Sequence, residues 1–155
     1  MKFKSVATIA IAAAAFLINT PVRAADSPLM EPVKSVLDHY LTIQTNLAND
    51  TIKGVNEQAA AISKAVTGDN MKMLPPEVAK QADTLAQAKD LKAAREAFKP
   101  LSASLIKYLA GNKTAKASYQ QVYCPMADAN WLQIGKDIRN PYYGKEMLDC
   151  GELKN

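Results

Sequence analysis

The chain has 155 residues, 48% of them hydrophobic and 22% charged, with 19 basic and 15 acidic side chains, two cysteines and a single histidine. One histidine is too few for histidine-rich zinc catalysis, and it leaves no His–acid–nucleophile constellation to assemble. There is no Cys-x-x-Cys, glycine-rich phosphate loop or dinucleotide fingerprint, so the composition points away from an enzyme and toward a binding protein.

The first two dozen residues read as an export signal. Lys2 and Lys4 form a basic start, Val6 to Ile18 is an almost unbroken apolar run, and Val22-Arg23-Ala24 puts small residues where a signal peptidase reads. Residues 1–24 are expected to be removed, by cleavage after Ala24 or Ala25. The run is shorter than the roughly 20 residues of a transmembrane helix, and no later stretch is apolar enough to span a membrane. No cysteine stands near the cleavage point to carry a lipid, so the expected location is the periplasm. Loss of Lys2, Lys4 and Arg23 leaves 16 basic against 15 acidic residues. The sequence pI near 9.0 is then no argument for nucleic acid or an anionic membrane as partner.

From Leu29 to about Ala110 the pattern is helical. Leu29, Val33, Val36, Leu37, Tyr40, Leu41 and Leu47 recur at helix spacing, with Ser27 and Pro28 as cap and first turn. Asn49 and Asp50 offer a break and a new cap. A second helix carries Ile52, Val55, Ala59, Ile62 and Val66 and ends at Thr67 to Asn70. Met71 to Pro76 is a connector, because Pro75-Pro76 forbids regular helix through Leu74. A third helix covers Glu77 to Lys89, with Val78, Ala82 and Leu85 as its stripe. In the fourth, Asp90 caps a repeat of Leu91, Ala94, Phe98, Leu101, Leu105 and Tyr108 that Gly111 closes, with Pro100 expected to kink it. The expected fold is all-α: an antiparallel four-helix bundle over residues 25–112. Residues 113–155 are expected to form an irregular, turn-rich metal-binding extension packed on it as part of the same domain, and, with no Val/Ile/Thr-rich alternation anywhere, any strand is expected to be short and confined to this C-terminal block.

The stretch from Tyr119 to Leu153, YQQVYCPMADANWLQIGKDIRNPYYGKEMLDCGEL, holds both cysteines. Pro125 pushes Cys124 toward an extended backbone, where residues two apart face one side, so Cys124 and Met126 come together. Lys145 to Cys150 permits a helical turn between Gly144 and Gly151, on which Met147 and Cys150 share a face. Two locally convergent sulfur pairs result. Thiolate and thioether are soft donors, and soft donor sets favour Cu(I) over magnesium, calcium or manganese.

The elements CPM at Cys124–Met126, WLQ at Trp131–Gln133, Ile138 with NPYYG at Asn140–Gly144, and MLDCG at Met147–Gly151 follow one another here. In this the chain resembles a domain-of-unknown-function family of bacterial envelope proteins, found alone or fused to CusB-type membrane-fusion subunits of heavy-metal efflux pumps. The resemblance is close over this C-terminal third and loose over the helices. The ADAN connection between CPM and Trp131 is shorter than the glycine-containing linker of many members. The resemblance implies binding of copper or a related metal.

Each of these residues also has a plainer reading. Two cysteines in an exported protein commonly pair; a disulfide across the 25 intervening residues would stabilise the tail by about 3 kcal/mol in the chain-entropy model. The two readings are compatible, since an empty dithiol site can close as a disulfide. Met126 and Met147 can equally fill gaps in a small core. Met71 and Met73 form a weaker thioether pair, and His39 lies beside its helix's core stripe, so these three are secondary candidates that packing or surface exposure also explains. Trp131 and Tyr142-Tyr143 are expected to pack the tail on the bundle, while Asn140-Pro141 and Gly144 supply turn chemistry. The leading expectation is a periplasmic protein that captures Cu(I) or Ag(I) through Cys124, Met126, Met147 and Cys150. It would buffer the metal or deliver it to an efflux-pump membrane-fusion subunit or a metallochaperone. The alternative is a disulfide-stapled adaptor domain of an envelope complex, with no metal role.

Overall fold

In the computed structural model of the chain, residues 29–111 and 118–154 are described. The expected signal at 1–24, the cap at Ser27 and Pro28, and the boundary at 112–113 lie outside them.

The four helices form where the apolar periodicity places them, and their ends depart from expectation for local reasons. Helix α1 runs Val33–Ala48 and buries Val33, Val36, Leu37, Tyr40, Ile43 and Leu47. Helix α2, Val55–Thr67, starts later than Ile52. Asp50 does not cap it: the residue stands at φ 59° and its carboxylate accepts from Arg95 Nη2 at 2.6 Å and from the Lys145 N–H at 3.1 Å. Gly54, in the left-handed region at φ 80°, makes the entry into α2 instead. Helix α3, Pro76–Ala86, has its proline in the first turn, where no N–H is needed, and stops short of Lys89. There the Asn56 amide donates to the carbonyls of Ala86 and Ala88, at 2.8 Å each, and satisfies groups that further helix would have used.

Helix α4, Leu91–Ala110, is capped as expected by Asp90, whose Oδ1 accepts from the Ala93 N–H at 2.8 Å. Pro100 lies inside a helix that continues past it. Ala94, Phe98, Leu101 and Leu105 are buried as expected, but the last core position belongs to Leu109, with Tyr108 half-buried beside it.

The C-terminal block is where the all-α expectation fails. It contains three strands, β1 (Gln120–Cys124), β2 (Ala129–Gln133) and β3 (Glu152–Lys154), in one antiparallel sheet of order β2-β1-β3. The helical turn expected over Lys145–Cys150 is a single 3-10 turn, Gly144–Glu146. The architecture is therefore four helices with a small antiparallel sheet. The helices pack in succession, α1 on α2, α2 on α3 and α3 on α4, while the backbones of α1 and α4 stand further apart and meet through long side chains. Strand β2 packs against both α4 and α1 and stands where a closed bundle would bring those two helices together.

The join is aromatic. Tyr40 of α1 and Phe98 of α4 stack with centroids 4.9 Å apart, and Tyr142 lies 6.1 Å beyond Phe98. Trp131 of β2 meets Tyr142 edge-on at 5.9 Å. The Tyr40 hydroxyl lies 2.6 Å from Ser102 Oγ and accepts from the Leu132 N–H at 3.0 Å, so a buried phenol bonds both to α4 and to the sheet. Its burial raises the phenol well above its ordinary pKa and keeps it neutral.

Candidate metal centre

Strand pairing brings the two cysteines together. Strand β1 is central: Cys124 pairs with Ala129 of β2, and Tyr123 pairs with Glu152 of β3. Continuing the second register leads from β3 back to Cys150. The two Sγ atoms are 3.4 Å apart and both are free thiols. Cys124 is fully buried, whereas Cys150 is half-buried at the edge of the core. The contact with Cys124, followed by burial, raises the Cys150 thiol above its ordinary pKa.

Pro125–Asp128 is a tight connection between β1 and β2, closed by the Asp128 N–H donating to Pro125 O at 3.3 Å. Asp128 takes φ 45° and accepts the Tyr123 hydroxyl at 2.9 Å, a bond that leads the causes raising that phenol's pKa. The short ADAN connection is thus split, Ala127 and Asp128 completing a compact hairpin loop and Ala129 and Asn130 opening β2. Met126 sits on it, 65% exposed. At the other cysteine the Cys150 N–H donates to Met147 O at 3.1 Å, so Met147 and Cys150 are the two ends of one turn rather than neighbours on a helix. Met147 is half-buried.

The NPYYG segment joins these two sulfur-bearing turns. Asn140 is fully buried; its amide donates to Cys150 O at 2.8 Å, and its Oδ1 accepts from the N–H groups of Tyr142 at 2.8 Å and Tyr143 at 3.3 Å. Its own N–H donates to Leu148 O at 2.7 Å. The Tyr143 hydroxyl donates to Met126 O at 3.1 Å, and the buried Tyr142 hydroxyl bonds Asn130 O. Pro141 contributes its carbonyl, which accepts from Arg95 Nε at 2.9 Å. Gly144, at φ 59°, lies so close to the Asp50–Arg95 pair that a Cβ there would overlap it. Turn chemistry was legible in these residues; the reach of Asn140 to Cys150 and of Tyr143 to Met126 was not.

Trp131 and Gly151 are packed against each other. Trp131 is fully buried, and a Cβ on Gly151 would stand 2.8 Å from its Cη2 and 2.7 Å from Val122 Cγ1. In the sequence Gln133 stands out only as the end of the WLQ element, yet in the fold it organises the loop that follows. Its Oε1 accepts from Trp131 Nε1 at 3.0 Å and from the Arg139 N–H at 3.2 Å, and its Nε2 donates to Asp137 O at 2.8 Å. Arg95 and Asp50 were missed as well, being charged residues of the helical region with no local signal of a distant partner.

The secondary candidates stand apart from this constellation. Met71 is 69% exposed, Met73 packs at the edge of the core, and the backbone N–H of each donates to the Asp69 carboxylate. His39 Nδ1 lies 2.6 Å from Gln58 Oε1, between α1 and α2. Among the described residues, no group of three or more His, Cys, Asp or Glu side chains could hold a metal ion. A metal at Cys124 and Cys150 that takes more than two ligands would therefore have to draw on the methionines or on an outside donor. Among the same residues no helix is long and apolar enough to cross a membrane.

A family described as protein of unknown function (DUF3347) matches residues 36–117. The matched span covers most of α1 and all of α2 to α4, and the sulfur-bearing block lies beyond it. No curated protein and no solved structure matches the chain.

Proposed function

The chain belongs to the DUF3347 family, and from the chemistry of its C-terminal block we propose that it is an envelope protein that captures Cu(I), or Ag(I), between Cys124 and Cys150. The observation that carries this reading is the 3.4 Å separation of two unbonded thiols. Two sulfurs on one tetrahedral ion, each about 2.3 Å from it, lie about 3.8 Å apart, so a small adjustment converts the contact into a binding site. A disulfide would need a closure of about 1.4 Å instead.

The available further donors select the ion. Zinc sites draw on a set of Cys, His and carboxylate ligands, and no third such group joins this pair among the described residues. Met147 is tied to Cys150 by a turn, and Met126 follows Cys124 by two residues on the hairpin loop. Two thiolates with thioethers form a soft set that favours Cu(I). In this reading Asn140, Pro141, Tyr142, Tyr143, Gly144 and Trp131 fix the backbone from which the ligands project. The exposure of Met126 leaves one donor where a recipient, an efflux membrane-fusion subunit or a metallochaperone, can enter the coordination sphere. The function is binding and transfer, with no catalytic step.

The same contact favours a second reading, in which Cys124 and Cys150 close as a disulfide that staples an adaptor domain. An anaerobic Cu(I) titration against a competing chelator separates the two. The metal reading expects tight one-to-one binding that is lost in the Cys124→Ser, Cys150→Ser double variant and weakened, with the fold intact, by Met126→Leu and Met147→Leu. Equal affinity in the wild type and the double variant would reject it and leave the staple.

A further inference from the structure

The two cysteines differ in a way that metal binding does not require. Cys124 closes the central strand and is fully buried; Cys150 beside it is half-buried and retains some contact with solvent. An external reagent therefore has an approach to Cys150 that it lacks to Cys124, although the two sulfurs lie 3.4 Å apart. The backbone of Cys150 is held on both sides, by Asn140 Nδ2 donating to its carbonyl and by its own N–H donating to Met147 O. Its neighbour Gly151 presents no side chain between the strands.

We propose that the pair is an ordered thiol–disulfide exchange site for low-molecular-weight disulfides, with Cys150 as the sulfur that meets the reagent and Cys124 as the sulfur that resolves it. The inference concerns the metal-free protein and stands whether or not the pair also binds a metal. Cys150, after losing its proton to solvent, attacks one sulfur of an external disulfide RS–SR. That bond breaks, a mixed disulfide forms on Cys150, and the first RS⁻ leaves and takes up a proton. Cys124 then loses its proton and attacks Cys150 Sγ; the mixed disulfide breaks and the second thiol departs from the exposed side. Two protein thiols are oxidised to one disulfide, and RS–SR is reduced to two RSH. In reverse, an external thiolate attacks at Cys150, because Cys124 Sγ is covered.

The order follows from exposure and contact together. A reagent held on buried Cys124 would have to displace the strand packing around it, whereas a group on half-buried Cys150 needs less displacement and leaves Cys124 Sγ 3.4 Å from the sulfur that carries it. Thiol reactivity depends on access as well as on thiolate character, and access here is one-sided.

The test uses the full chain, reduced, stripped of metal and freed of reductant, then treated with 2-hydroxyethyl disulfide and quenched with acid for intact-mass analysis. The wild type is expected to lose two hydrogens, with the mixed disulfide transient. Cys124→Ser and the apolar Cys124→Ala are both expected to accumulate one hydroxyethylthio group on Cys150. Cys150→Ser should react at least about tenfold more slowly than either, and in strong denaturant all three should react alike. Early quenching of the unaltered chain gives the same assignment without any substitution: the mixed disulfide maps to Cys150. A mixed disulfide on Cys124, or a stable adduct in the wild type that never resolves, overturns the proposal.

Discussion

Replacing Asn140 by alanine tests whether one buried amide holds the two halves of the C-terminal block together. Asn140 is fully buried and makes three side-chain hydrogen bonds, one to Cys150 O and two from the N–H groups of Tyr142 and Tyr143. Truncation leaves the Cys150 carbonyl and the Tyr142 N–H without those partners, at about 1–3 kcal/mol for each buried group left unmade. The longer 3.3 Å bond to Tyr143 is discounted. A loss of about 2–6 kcal/mol is expected, a large fraction of a domain's usual stability. Since about 1 kcal/mol moves the midpoint of a domain this size by roughly 3–5 °C, melting should fall by about 6–30 °C. Urea unfolding followed by the fluorescence of Trp131, the only tryptophan, measures it. Asn140→Asp is the companion variant: it keeps an acceptor for the two N–H groups but turns a carboxylate on the Cys150 carbonyl. It should also destabilise, and recover when acid protonates the new group. A loss below about 0.5 kcal/mol in Asn140→Ala would refute the assignment of Asn140 as the tie.

Other substitutions probe the remaining joints. Gly151→Val should cost about 1–3 kcal/mol or more by overpacking against Val122 and Trp131, and should blue- or red-shift the Trp131 emission. Gln133→Leu strands the Trp131 Nε1–H and the Arg139 N–H; about 1–3 kcal/mol of lost stability in urea is expected, with proteases cutting first between Ile134 and Arg139. The Arg95 hydrogen bond, then the Lys145 N–H, hold the Asp50 carboxyl below the usual carboxylate range. Its stabilisation is therefore fully present above that range and is lost as pH falls through the lowered value. Asp50→Asn should cost about 1 kcal/mol at pH 7, the solvent at this partly exposed pair discounting a charged bond. The gap from wild type should close in strong acid, as thermal melts at successive pH values would read. Under the metal proposal, oxidising the metal-free protein should abolish Cu(I) uptake, whereas the Cu(I)-loaded protein should resist the same oxidant; equal uptake before and after oxidation would contradict it.

Periodicity made the helices legible because each buries a stripe spaced by three and four: Val33 to Leu47, Val55 to Val66, Val78 to Leu85, and Ala94 to Leu105. It could not show that the stripe of α1 and that of α4 meet a strand. β1 and β2 are five residues each, and Val122, Trp131 and Leu132 are too few for an alternation to stand out beside the glycines and prolines around them. Strand β3 has three residues, all exposed, and exists by pairing with β1. Helix ends moved where a side chain from elsewhere took the capping group, as Arg95 does at Asp50 and Asn56 does at Ala86. At the site, the meeting of Cys124 and Cys150 was expected from their number and company, but the strand order that produces it was not, because local spacing does not carry it. The roles of Gln133 and Arg95 depend on partners brought close only by the fold.

Strand β3 hangs on the sheet by one edge. Among the described residues its three residues pair with β1 alone, whereas β1 is held on both sides. Elements with few buried contacts open at low free energy while the rest of a domain stays closed. Amide hydrogens of Leu153 and its neighbours should therefore exchange with solvent before those of Val122, and each such opening loosens the segment that carries Cys150. The helices can stay closed through that opening, so the freedom of the segment that carries Cys150 is set by the fraying of one short edge and not by the stability of the whole molecule.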